Sequence, residues 1–151
     1  MIVAQRMGFG GVIGVEVSEQ LAATARENLG RQKRRPGAEA ARVIVADASE
    51  WEPPPEVTVA FMYSPFTGPV FAAAIRRLLD SVDRHPRRMR LVYNNPFEHN
   101  YLLDTGRFRP VITLRSIRIV SRGPNSLTSL SIPNTLETRP PAVAFANSTN
   151  W

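Results

Sequence analysis

The chain of 151 residues contains no cysteine, and its only histidines are His85 and His99. Without a thiol, neither a disulfide framework nor a thiolate metal site can be built, and two isolated histidines do not make a metal centre, so no metal site is expected. Long apolar runs are also missing. The most hydrophobic opening stretch, "MIVAQRMGFGGVIGVEV", is broken by Gln5 and Arg6 and closes on an acidic residue. Such a segment is neither a signal peptide nor a membrane span, so a cytoplasmic protein without a membrane partner is expected.

Lysine is almost absent too. Of 19 basic residues only Lys33 is lysine, in a chain rich in alanine and proline. A net charge of +6 would ordinarily favour a polyanionic partner. An arginine-for-lysine bias alongside alanine and proline is what a GC-rich genome produces, however, which lowers the weight of that charge. The run "RQKRR" from Arg31 to Arg35 reads as a solvated loop, with a nucleic-acid contact as the lesser alternative. What remains is 43% hydrophobic and 21% charged, the balance of a globular chain long enough for one core.

Periodicity then divides the sequence. Ile2, Val3 and Met7 recur at helical spacing before Gly8 and Gly10, as at the end of a helix over Met1 to Met7. "GVIGVEV" predicts a strand, and Ser18 caps a helix whose apolar face is Leu21, Ala22, Ala25 and Leu29 and which Gly30 stops. "ARVIVADA" and "VTVAFMY" predict buried strands. From Pro69 to Val82 the positions Val70, Phe71, Ala74, Ile75, Leu78, Leu79 and Val82 describe one helix face. "MRLVYN" is a further strand, followed by a short helix from Glu98 to Leu103. "ITLRSIRIVSRGPNSLTSLSI" predicts a hairpin turning at Arg122 to Asn125, where glycine and proline stand together. The expected domain is residues 1–132, an α/β fold with a mostly parallel sheet and a C-terminal antiparallel hairpin. Residues 133–151, rich in Pro, Thr, Asn and Ser and without periodicity, are expected to be a disordered tail.

Ligands of open parallel sheets bind beyond the carboxyl ends of the strands. There the predicted strands deliver Glu16, Asp47 with Ala48, "YSPF" from Tyr63 to Phe66, and "NNPF" from Asn94 to Phe97. A carboxylate at Glu16 can accept from a ribose diol, and Asp47 from an exocyclic amine. Ser64 offers a hydroxyl or carbonyl on a backbone stiffened by Pro65, while Tyr63 and Phe66 offer flat faces to a planar substrate. Plainer roles stand beside these. Glu16 can be a helix-terminal acid, Asp47 a turn residue, Tyr63 and Phe66 core aromatics, and Asn94 and Asn95 caps. His99 is a lone histidine on a short helix, a weak candidate for a base.

In order, "GVIGVEVSEQLAATARENL", "VIVADASEWEPP", "VAFMYSPF" and "RLVYNNPF" resemble the class I S-adenosylmethionine-dependent methyltransferases, in particular bacterial members with a strand-end Asn-Pro-Phe motif. The resemblance runs from Met1 to about Ile132. It implies a Rossmann-like methyltransferase fold with S-adenosyl-L-methionine as cofactor. Glu16 would bind the ribose and Asp47 with Ala48 the adenine; Ser64, Pro65 and Phe66 would form the catalytic edge, with Tyr63 and Asn94 on the side of an unknown methyl acceptor. Amino-methylating members carry two prolines before the aromatic, and here there is one.

A strand and a glycine-rich loop precede the first helix in that family, and this sequence begins after both. The chain therefore reads as truncated and inactive in this form. The absent strand belongs between those of Glu16 and Tyr63, so two strand edges are expected to face a gap or to pair with each other, with association as a consequence. Two other readings remain. One is a non-catalytic nucleic-acid or protein-interaction module of the same fold; the other is a fragment of an NAD-dependent oxidoreductase, which would also place an acid after its second strand.

Overall fold

The computed structural model describes residues 1, 4, 9–32, 41–63, 66–114, 117–122 and 142–145. They form strands β1 (Val12–Glu16), β2 (Arg42–Val45), β3 (Val59–Tyr63), β4 (Met89–Asn94), β5 (Arg109–Leu114), β6 (Ile117–Arg122) and β7 (Ala142–Phe145). Helices α1 (Glu19–Gly30), α2 (Gly68–Arg84) and α3 (His99–Asp104) lie between them. The helix expected over Met1 to Met7 falls, apart from Met1 and Ala4, outside the described residues.

One seven-stranded sheet runs in the order β2-β1-β7-β3-β4-β6-β5. Its five left-hand strands are parallel, and β6 and β5 are antiparallel additions. Crossover helices on a mostly parallel sheet make this an α/β, Rossmann-like fold, as the alternation of periods predicts.

The centre of the sheet departs from expectation. The position between β1 and β3 is neither a gap nor a direct β1–β3 pairing, because β7 fills it. Ala142 to Phe145 pairs in parallel with Val12 to Val15 on one side and Val59 to Met62 on the other. All four residues are buried. A disordered tail over the whole of 133–151 is thus corrected at 142–145: "AVAF" is an apolar run short enough to be overlooked, and two open parallel edges supply every backbone partner it needs.

An antiparallel hairpin also lies within the first of the two expected β-runs. Leu114 pairs with Ile117, so the strands are joined across residues 115–116, and what looked like one continuous β-run is the whole hairpin. The glycine–proline turn signal drew the reading toward Arg122 to Asn125, of which only Arg122 lies within the described residues. A bulge between Pro110 and Ile112 interrupts the pairing.

α2 seals one face of β3 and β4. Phe71, Ala74, Ile75, Leu78, Leu79 and Val82 are buried against Ala60, Met62, Leu91 and Tyr93. Burial of each large side chain contributes roughly 1.5 to 3 kcal/mol before ordering costs. Val70, assigned to the same face by periodicity, is exposed near the helix start. Pro69 sits at the first turn, where its missing N–H costs nothing. α1 is held differently: Ser18 Oγ accepts from Leu21 N at 3.4 Å, and the small Ala22 and Ala25 bring the helix close to Val43.

Arg87 closes the opposite end of the sheet. Its guanidinium donates to the carbonyls of Val57 (2.6 Å), Ser81 (3.0 Å) and His85 (3.0 Å) and to Ser81 Oγ (2.9 Å). Ser81 Oγ in turn donates to Pro53 O at 3.0 Å. The last turn of α2 and the segment entering β3 are therefore tied by one cation, whose pKa burial lowers while Glu56 partly restores it.

Candidate functional site

Registers place the expected site residues across one edge. Glu16 ends β1 opposite Val45, and Asp47 follows two residues later on the neighbouring chain segment. Tyr63 ends β3 directly opposite Asn94 at the end of β4. Val15, Phe145 and Met62 form one row through β7, so Glu16 and Tyr63 each stand one residue beyond it. Separated by one strand, their Cα atoms lie about 10 Å apart and on the same side of the sheet. Glu16, Asp47, Tyr63 and Asn94 thus share the C-terminal edge.

Glu16 is buried, with only 3% of the residue exposed. Oε1 accepts from Ser18 N at 2.9 Å, at the point where the chain turns into α1. The residue is therefore oriented by the backbone that follows it, a fixed acceptor instead of a solvated helix acid.

Asp47 is exposed, and its Oδ1 accepts from Ser49 N (2.7 Å) and Ser49 Oγ (2.6 Å). Its carbonyl accepts from Glu50 N and Trp51 N, closing a turn. The Ser49 hydroxyl and then the Ser49 amide hold the carboxyl below its ordinary pKa. This is the turn role weighed from the sequence, and it fixes the loop that carries Ala48 and Trp51 against the core.

Ser64 and Pro65 lie outside the described residues. Phe66 is half-buried, with its ring 6.4 Å from Phe71 and 6.3 Å, edge-on, from Phe145. Trp51 meets Phe145 edge-on from the other side at 5.8 Å. Phe66 is consequently a wall beneath the edge, packed over the end of β7, and the aromatics open to solvent there are Tyr63 and Phe97.

Asn95 adopts φ of 51°, left-handed for a residue with a side chain, and turns the chain out of β4. Phe97 N donates to Asn95 O at 3.0 Å, which leaves the Phe97 ring 72% exposed. Beneath this turn Tyr93 stacks on Phe71 at 5.3 Å, and burial raises its pKa. His99 Nδ1 is buried without a hydrogen-bond partner among the described residues. Glu98 Oε1 accepts from Gly68 N at 2.7 Å, which ties the β4 turn to the start of α2.

Sequence reasoning overlooked Trp51 and Phe145. Both join the edge through tertiary packing, and neither has a local pattern that separates it from an ordinary apolar residue.

No family model matches this sequence. No curated protein matches it either. Among solved structures, the 23S rRNA methyltransferase ErmE is similar with a TM-score of 0.43 and 17% identity, over 80% of this chain and 64% of that one. The chain thus spans a little under two thirds of that structure's length.

Proposed function

We propose that this protein is an S-adenosylmethionine-dependent methyltransferase whose acceptor side lies over the ends of β3 and β4. The observation that carries the reading is the row in which the pre-oriented Glu16 carboxylate and the Tyr63–Asn94 pair occupy one edge of a sheet of the required order. Glu16 accepts hydrogen bonds from the ribose hydroxyls. The loop fixed by Asp47 brings Ala48 and its backbone groups to the adenine, and the Trp51–Phe145–Phe66 cluster forms an apolar floor. Bound there, the cofactor supplies a sulfonium methyl group; Tyr63 and Asn94 orient the acceptor, and Ser64 and Pro65, next in sequence after Tyr63, are the residues assigned to the catalytic step.

The methionine part of the cofactor is held less well. A backbone cradle needs glycine for close approach, and the sequence that follows β7, ANSTNW, contains none. The nucleoside half of the site is therefore expected to dominate binding, and methyl transfer to be slow. Because β7 fills the sheet, the fold itself does not stand in the way.

Titration calorimetry with S-adenosylmethionine and with NAD on the same protein tests the reading. Weak binding of the first and none of the second is expected, and Glu16→Ala should lose roughly 1.5 to 3 kcal/mol, one to two decades of affinity. Equal affinity of wild type and Glu16→Ala, or preference for NAD, overturns it. A non-catalytic interaction module is the second reading, favoured by the exposed sheet face described next.

A further inference from the structure

Strand alternation gives β3 and β4 two unlike faces. Ala60, Met62, Leu91 and Tyr93 point into the core under α2, while Val59, Phe61 and Tyr63 alternate with them on the other side. Phe61 is 39% exposed and Tyr63 is 40% exposed. Arg90, Val92 and Asn94, the register partners of Val59, Phe61 and Tyr63, share that face, and Arg90 aligns through β6 with Arg109 of β5. Arg90 and Arg109 are both exposed.

Charge is segregated here. Of the arginines in β3, β4, β5 and β6, Arg90 and Arg109 share a row of this face while Arg118 and Arg122 align with Tyr93 and Met89 of the other, and the four strands contain no aspartate or glutamate. Arg90 makes no ion pair among the described residues. Parallel sheets are ordinarily covered on both faces. A face that no described helix covers over Phe61 and Tyr63, whose Cα atoms stand about 6.6 Å apart on one strand, and that carries guanidinium groups further along its rows, has the parts of a stacking platform.

We propose that this face binds single-stranded nucleic acid. Bases stack on Phe61 and Tyr63, and Arg90 and Arg109 meet the phosphates. The path leads from the arginine row to the edge where Tyr63, Asn94 and Phe97 stand. In leading to the acceptor edge the proposal rests on the methyltransferase reading, whereas the binding itself requires no cofactor. A duplex cannot offer unstacked bases to a flat sheet, so single strands are preferred.

The test is fluorescence anisotropy of a labelled oligothymidylate of about 12 nucleotides, a length within the usual site sizes, without cofactor. The same sequence as a duplex serves as competitor. Binding by the single strand is expected, at least ten-fold weaker for the duplex. Phe61→Ala should weaken it about ten-fold or more, and Phe61→Leu, which keeps the apolar area and loses the π face, nearly as much. Arg90→Gln should reduce the salt dependence of binding by about one phosphate contact. No binding at about 50 mM salt, equal binding of the duplex, or full retention by Phe61→Leu overturns the proposal. So does a homodimer in sedimentation that Phe61→Ser dissociates while oligonucleotide affinity is unchanged, since the face then belongs to a second copy. Failure of cofactor binding in the calorimetric test leaves these outcomes untouched, so the two readings fail separately.

Discussion

The two faces of β3 and β4 are made by alternate residues of the same two segments and have opposite fates. On one, Met62 and Leu91 lie beneath Phe71, Ile75 and Leu78 of α2 and are wholly buried. On the other, Phe61 and Tyr63 meet solvent. Hydrophobicity along the strand does not distinguish them, since Phe61 is more apolar than Ala60. What distinguishes them is whether an element arrives to cover the face, which is a property of the topology. Stability therefore resides on the α2 side, leaving the other side available for recognition.

The sharpest way to break this contrast is through the strand common to both faces. Val143 of β7 is fully buried in the central row, and Val143→Asp places a carboxylate there without a partner. Loss of more than about 4 kcal/mol, enough to abolish cooperative melting, is expected. A cooperative melt close to that of wild type would show that β7 does not hold the centre of the sheet. The next effect compares the faces directly. Leu78→Ala should cost about 2 to 5 kcal/mol in denaturant unfolding, while Phe61→Ala, at a residue 39% exposed, should cost about 1 kcal/mol. Similar losses from the two would mean that the open face is covered in solution.

The smallest effect is one of pH. The carboxyl of Asp47 has its pKa depressed by Ser49, so it stabilises the fold above its unfolded pKa, near 3.9, and that contribution is lost as pH falls through the folded value. Ser49→Ala should flatten the decline of stability below about pH 4 and change little at neutrality, because the group is exposed and screened. A wild-type decline unaltered by Ser49→Ala, followed by thermal melting across that range, would remove the turn from the account.

Much of this was legible in the sequence, for identifiable reasons. The strands ending in Glu16 and Tyr63 are apolar runs between turn residues, that ending in Asn94 is interrupted only by Arg90, and the face of α2 follows a 3.6-residue period over many positions. Ser18 declares its helix start through cap chemistry that is local. The misreadings involve non-local information. Arg115 and Ser116, between β5 and β6, include no glycine, proline or asparagine, so the sequence there carries no signal that divides the β-run. β7 is four residues long, and its assignment depends on two edges far earlier in the chain, Val12 to Val15 and Val59 to Met62. The buried state of Glu16 and the packing of Phe66 on Phe145 likewise depend on contacts that no window of sequence contains.

The central position of β7 also sets an order of events. It is the last of the seven strands to leave the ribosome, and its partners β1 and β3 are among the earlier ones. Until it emerges, the nascent chain holds two half-sheets, β2–β1 and β3–β4–β6–β5, each with a parallel edge lacking its partner. Local contacts such as the β5–β6 hairpin and α2 on β3 and β4 can form during synthesis, whereas the join between the halves has the longest loop to close. Folding of the whole is thus gated by its final strand, and a chaperone that shields open edges would act on this chain in the interval before that strand appears.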